Sequence, residues 1–186
     1  MAKASEIKTG NILRVNNELV TVDEWNHRTP GKGGAFYTGK FRNIKTGRLV
    51  EARMNTDEAV EICRVETNDY QYLYEEGDAL VVMDNNTYEQ FNVAKSLFGN
   101  AIKFLKEGMN VIVSIESEEP IMAQLPNFAE FEITYSEPAV KGDTSTNALK
   151  AATLENGVEV KVPLFVNQGD KIKVDTRTGE YVERVK

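Results

Sequence analysis

Turn signals cut this chain into runs too short for anything but short strands. In residues 1–64 the strand-like runs are Ile12–Val15, Glu18–Trp25, Ala35–Phe41, Leu49–Met54 and Ala59–Val65. Asn16-Asn17, a proline–glycine stretch and Lys45-Thr46-Gly47-Arg48 separate them. Apolar residues alternating with polar ones, bounded by Gly, Pro and Asn, are what a half-buried strand requires. Five such runs in one short segment predict a small SH3-like barrel.

The same punctuation continues. Tyr70–Tyr74, Ala79–Met83, Val111–Ile115 and Ile121–Leu125 read as strands. Tyr70, Tyr72 and Tyr74 alternate, so one shared face is expected, packed against a barrel or stacked on bases. Between these strands the period changes. Val93, Leu97, Ala101 and Leu105 fall four apart, which predicts one or two short helices, interrupted at Gly99 and ending by Gly108. Strands around a short central helix suggest an OB-type barrel. Further on, Phe128–Tyr135, Ala152–Leu154, Val158–Val162, Lys171–Val174 and Tyr181–Val185 read as strands, and 141–151 as a polar loop. Asp84-Asn-Asn-Thr-Tyr-Glu89 and Asp175-Thr-Arg-Thr-Gly-Glu180 share Asp-x-x-Thr-x-Glu, an echo that fits two related barrels in tandem. The expected architecture is all-β, with three small β-barrel domains at 1–64, 65–127 and 128–186.

The least ordinary turn is His27-Arg28-Thr29-Pro30-Gly31-Lys32-Gly33-Gly34-Ala35-Phe36. Pro30 fixes its own φ, and Gly31, Gly33 and Gly34 accept conformations closed to other residues. Flanked by strands, this is a hairpin tip bare of side chains except that of Lys32. Such a cation can enter a space too narrow for ordinary side chains. The stretch is not a phosphate-binding P-loop, because that motif needs Ser or Thr after the lysine and a helix beyond it.

Charge is unevenly spread. The net value is −7, yet residues 1–64 carry +3 and residues 65–186 carry −10. Between Trp25 and Arg53 stand Arg28, Lys32, Lys40, Arg42, Lys45, Arg48 and Arg53, opposed in that window by Glu51 alone. A basic stretch around the glycine loop favours contact with a phosphate backbone. Arg28, Lys40, Arg42 and Arg53 are the candidate RNA-contact surface.

Catalytic and metal chemistry find little support. One histidine, His27, and one cysteine, Cys63, cannot build a zinc cluster, and a Ser-His-Asp site would need His27 together with a nucleophile elbow that the sequence lacks. His27 reads as a contact or solvated side chain rather than a base. Cys63 reads as a buried structural thiol, and a lone cysteine fits a reducing cytoplasm. No apolar run is long enough for a membrane helix, and the N-terminus lacks an apolar signal core. A cytoplasmic monomer that is not an enzyme is expected.

The ordered motifs resemble bacterial translation elongation factor P along nearly the whole chain. They are Pro30-Gly-Lys-Gly-Gly-Ala-Phe36, Tyr72-Leu-Tyr74 with Met83-Asp84 and Thr87-Tyr-Glu-Gln90, and Phe104-Leu-Lys-Glu-Gly-Met109. Later come Val140-Lys-Gly-Asp-Thr144, Ala152-Thr-Leu-Glu155, Val162-Pro-Leu-Phe165 and Gly169–Tyr181, which includes Arg177 and Tyr181. Arg28-Thr29 stand where Val-Lys is common, Asn147-Ala148 replace a usual Gly-Gly, and Ala151 a usual Pro. The resemblance implies a KOW-type SH3-like domain and two OB-folds in an L shape like tRNA. It implies binding to the 70S ribosome and its RNA between the P and E sites, and rescue of stalling at consecutive prolines. Lys32 would stand beside the CCA end of P-site peptidyl-tRNA, with no cofactor but a covalent extension added by a lysine-modifying enzyme. Gly142, Asp143 and Thr144 would approach an E-site mRNA codon. The competing reading is a general single-strand nucleic-acid-binding OB protein, which would use the Tyr70–Tyr74 aromatics and ignore Lys32.

Overall fold

The computed structural model describes residues 1–139 and 148–185. Its strands form three antiparallel sheets, so the all-β reading holds. The first sheet contains β1 (Ala2–Lys3), β2 (Ile12–Val15), β3 (Glu18–Arg28), β4 (Phe36–Asn43), β5 (Leu49–Asn55) and β6 (Ala59–Cys63), in the order β1-β6-β2-β3-β4-β5. Ala4, Ile7, Leu13, Val20, Val22, Phe41 and Val60 are buried on it as one core, with Trp25, Ala52 and Met54 half-buried beside them.

The second sheet holds β7 (Glu66–Glu76), β8 (Ala79–Asp84), β9 (Gln90–Ala94), β10 (Asn110–Glu116) and β11 (Glu119–Gln124), ordered β11-β10-β7-β8-β9. The third holds β12 (Phe128–Ser136), β13 (Leu149–Leu154), β14 (Glu159–Pro163), β15 (Lys171–Asp175) and β16 (Tyr181–Val185), ordered β14-β13-β12-β15-β16. This last sheet curls until its outer strands β14 and β16 meet. By proximity the chain groups into two compact units. One is Met1–Thr67 with Ser114–Met122, and the other is Asn68–Val113 with the described part of Ala123–Lys186.

Three sequence expectations are corrected. Val93 does not open a helix: it pairs with Leu80 inside β9 and is fully buried. The helical segment is Lys95–Phe104, two short 3-10 pieces meeting at Gly99, whose φ of 57° and ψ of −144° no helix allows. Residues 149–151, expected in a loop, belong to β13, where Leu149 pairs with Pro163 and Ala151 with Lys161. Lastly, the tyrosines do not share a face. A bulge pairs Tyr72 with Val82 but Tyr74 with Val81, which turns Tyr74 to the opposite side. Tyr70 and Tyr72 are 5% and 8% exposed, and Tyr74 is 53%.

The echo seen in the sequence is a repeated turn, and the first sheet carries a third copy. In Asn43–Arg48, Asp84–Glu89 and Asp175–Glu180 the first residue's backbone N–H donates to the sixth residue's carbonyl, at 2.9 Å in each. The fifth residue's N–H donates back to the first residue's carbonyl. The first side chain accepts from the amides two and three residues on. The fourth residue's threonine hydroxyl accepts from the sixth amide. The fifth residue takes positive φ: 70° at Gly47, 63° at Tyr88 and 77° at Gly179. A short side-chain carboxylate or amide is what such a turn needs, which is why Asn43 can stand where the others have Asp.

Asp175 has an added partner. The Arg177 guanidinium donates to both carboxylate oxygens, at 3.1 and 2.7 Å, and pulls the Asp175 pKa down to about 2. Folding therefore favours the ionised carboxylate. Its stabilisation is complete above the ordinary value of 3.8 and is lost as pH falls toward about 2. Denaturant unfolding at a series of pH values should show this. The stability gap between the native protein and Asp175→Asn stays flat above about pH 5 and narrows between about pH 4 and 2. A gap that is constant over that range would contradict the pairing.

Candidate RNA-facing hairpin

Strands β3 and β4 remain paired out to Arg28 opposite Phe36, leaving Thr29–Ala35 as the tip. Residues 29–34 are exposed. Gly33 takes a φ of 110°, and no heavy atom lies within 4 Å of where a Cβ would stand at Gly31, Gly33 or Gly34. The Thr56 hydroxyl donates to the Ala35 carbonyl at 3.0 Å and ties the tip's end to the chain after β5. Among the described residues Lys32 has no ion-pair or hydrogen-bond partner. The expected hairpin tip is therefore present, and it carries Lys32 alone.

Register divides the hairpin into two faces, because directly opposed residues of antiparallel strands point the same way. Arg28 faces Phe36, Thr38 faces Arg53, Lys40 faces Glu24 and Glu51, and Arg42 faces Thr21. Arg28, Lys40, Arg42 and Arg53 thus share one face, as the alternation of β4 and β5 dictates. Their charge is less free than the sequence window suggested. The Lys40 ammonium donates to Glu24 at 2.9 Å, and the Arg42 guanidinium to Asp23 at 2.6 Å. Both acids lie just before Trp25 in sequence but across the strand in space. The bond to Glu24 holds the Lys40 ammonium above its ordinary pKa. Arg53 lies 4.0 Å over the Phe36 ring, and Arg28 has no ion-pair partner among the described residues.

The other face is a row of rings. Trp25 stacks on Phe41 at 5.4 Å and on Tyr37 at 5.5 Å, the latter almost parallel at 4°. His27 follows, 4.8 Å from Tyr37 and tilted by 33°. Gly39 makes the row possible. It pairs with Trp25, and a Cβ there would lie 1.9 Å from the Glu24 carbonyl oxygen and 2.6 Å from the Trp25 ring. The indole N–H donates to the Ala4 carbonyl at 3.0 Å and anchors the row to the core. Sequence reading passed over Gly39, Trp25 and Tyr37. The available signal was an isolated glycine within a strand-like run, which marks a bulge or a close approach. A bulge is present opposite, between Val22 and Glu24.

The remaining candidates stand elsewhere. Arg177 is held in the Asp175 turn and lies 5.8 Å over the Phe128 ring, and Tyr181 pairs with Val174 on β16. Gly142, Asp143 and Thr144 lie outside the described residues. Cys63 is half-buried, and burial pushes its thiol pKa up. Among the described residues no three His, Cys, Asp or Glu side chains could hold a metal ion, and no helix is long and apolar enough to cross a membrane.

Comparison with known proteins covers the chain from end to end. The elongation factor P KOW-like domain matches residues 3–60, its OB domain residues 65–123, and its C-terminal domain residues 129–184. Elongation factor P of Kocuria rhizophila is 44% identical over 185 residues, 100% of this chain and 99% of its own length. That of Desulfitobacterium hafniense is 45% identical over 99% of this chain and 100% of its own. A solved structure described as eukaryotic translation initiation factor 5A from Methanococcus jannaschii shares the fold. It has a TM-score of 0.53 at 20% identity, over 67% of this chain and 94% of that one.

The close contact at Gly39 has a direct test. In Gly39→Ala the new methyl meets backbone, which cannot swing away, so the hairpin must shift. A cost of at least about 1–3 kcal/mol is expected from denaturant unfolding, the range for overpacked sites. Trp25 is the sole tryptophan, so its fluorescence should change with the same substitution. A variant with native stability and native emission would show that the contact relaxes freely.

Proposed function

The chain belongs to the elongation factor P family of translation factors, and on that premise we propose that it binds the 70S ribosome between the P and E sites and promotes peptide-bond formation at consecutive prolines through Lys32. The carrying observation is the bare tip: a single cation without a partner among the described residues, on thin backbone at the end of a hairpin braced by stacked rings. Proline is a poor acceptor, because its ring fixes φ and its nitrogen is a hindered secondary amine. Peptidyl transfer needs near-attack geometry, and a misplaced reactant is costly. Lys32 against the sugar–phosphate backbone near the CCA end of peptidyl-tRNA holds that end still, while the ribosome performs the chemistry. The protein supplies position and no reacting group. The rival reading, general single-strand binding through Tyr70–Tyr74, is weakened because two of those rings are buried and the third faces away.

Lys32 is also the residue we propose for covalent extension. It is exposed, and a lysine amine, once deprotonated, is a nucleophile that can be acylated or alkylated. Reconstituted synthesis of a Pro-Pro-Pro peptide tests both claims. Lys32→Ala is expected to lose nearly all acceleration with an unchanged melting temperature. Intact mass of the protein from its own cell should exceed the sequence mass by one group at Lys32. Full activity of Lys32→Ala would sink the reading, and an unmodified but active protein would remove the extension alone.

The basic face makes a graded prediction. Exposed ion pairs are weak, so Lys40 and Arg42 can trade their carboxylates for phosphates at modest cost. Arg28 and Arg53 have no carboxylate to leave among the described residues. Neutralising Arg28 and Arg53 should therefore flatten the salt dependence of ribosome binding more than neutralising Lys40 and Arg42. Each phosphate contact contributes a slope of about 0.7–0.9 in log K against log salt. Equal flattening by the two pairs would contradict the ranking.

A further inference from the structure

The row of rings on β3 and β4 has one closed end and one open end. Phe41 is buried in the core, Trp25 and Tyr37 are half-buried, and His27 is exposed. Each ring contacts the next, so flat surface is passed along from the core to water. His27 makes no hydrogen bond or ion pair among the described residues. Lys32, an exposed cation, lies at the adjoining tip, while Arg28 belongs to the other face of the ribbon.

A flat exposed ring, backed by Tyr37 and next to a tip that carries the Lys32 ammonium, matches one ligand chemistry: an aromatic base joined to phosphates. We propose that His27 is a seat on which an unpaired nucleobase of single-stranded RNA stacks. The proposal rests on the reading of this hairpin as RNA-facing and adds a base contact to the backbone contact of Lys32. Aromatic platforms accept any base, since every base has a π-face. The seat therefore adds affinity and orientation without reading sequence. Contact with Tyr37, itself stacked on Trp25, restricts the imidazole plane, so less freedom is lost when the base arrives.

Three substitutions separate a plane from a charge and from mere structure. His27→Ala removes the plane, His27→Phe keeps a plane, and His27→Lys puts a cation in its place. In Pro-Pro-Pro synthesis, His27→Ala is expected to need about tenfold more protein for half-maximal acceleration, a factor within the range for losing one stacked base. His27→Phe should restore the native value and His27→Lys should not. The second probe is a short single-stranded RNA carrying one 2-aminopurine, whose emission is quenched on stacking. The native protein and His27→Phe should quench it, and His27→Ala should not. Recovery by His27→Lys as good as by His27→Phe, or native behaviour of all three, overturns the proposal. Failure of the native protein to accelerate Pro-Pro-Pro synthesis would instead overturn the function proposed above, and the 2-aminopurine quenching would then decide the stacking by itself.

Discussion

A Cβ on Gly39 would sit 1.9 Å from the carbonyl oxygen of Glu24 and 2.6 Å from the indole of Trp25. Nothing larger than hydrogen fits there, and the indole takes the space instead. From that contact the rest of the hairpin follows. Trp25 lies between Tyr37 and Phe41 and bonds to Ala4. β3 and β4 can then stay paired out to Arg28 and Phe36. An isolated two-stranded ribbon is marginal in water. Here a third strand, β5, and a ring stack rooted in the core supply what the ribbon lacks. The tip can therefore be left without side chains, because the order it needs is provided below it.

The two faces of the ribbon divide the work. One holds the structure and the other holds charge. Asp23 and Glu24 on the charged face offset part of the basic excess. They keep Lys40 and Arg42 extended and reduce repulsion among neighbouring cations. An exposed pair with carboxylates 27% and 53% accessible is loose enough to be exchanged for a phosphate.

Much of this was legible in the residues, and the failures have definite causes. Proline and glycine at 30–34 announce the hairpin tip because their backbone restrictions are local. The strands of the first sheet follow from alternation, within a few residues at each end, except β1, whose two residues are too few to show a period. β9 was hidden because Val93 begins a run of apolar residues four apart that crosses from strand into 3-10 turns. Only the pairing of Val93 with Leu80 separates the two. The start of β13 was hidden because Lys150 and Ala151 have weak strand preference, and burial between neighbouring strands overrides it. Tyr74 was misassigned because a bulge adds one residue to a strand without marking the sequence. The partners of Lys40 and Arg42 escaped because cross-strand neighbours are distant in sequence. Lys32 itself was the clearest candidate from the start, since its exposure depends only on its neighbours in the chain.

The turn shared by Asn43–Arg48, Asp84–Glu89 and Asp175–Glu180 bears on how the chain assembles itself. Each copy closes with bonds among six consecutive residues, so the entropy lost in bringing its ends together is small. Strands joined by such a turn meet early, before contacts between distant residues can form. One copy lies in each sheet, between β4 and β5, between β8 and β9, and between β15 and β16. Each sheet thus owns a local starting point. The first lies close enough to the N-terminus to form while the later sheets are still being made on the ribosome. The ribbon that bears Lys32 shares strand β4 with that first turn, so this hairpin is laid down beside one of the earliest structures the chain can hold.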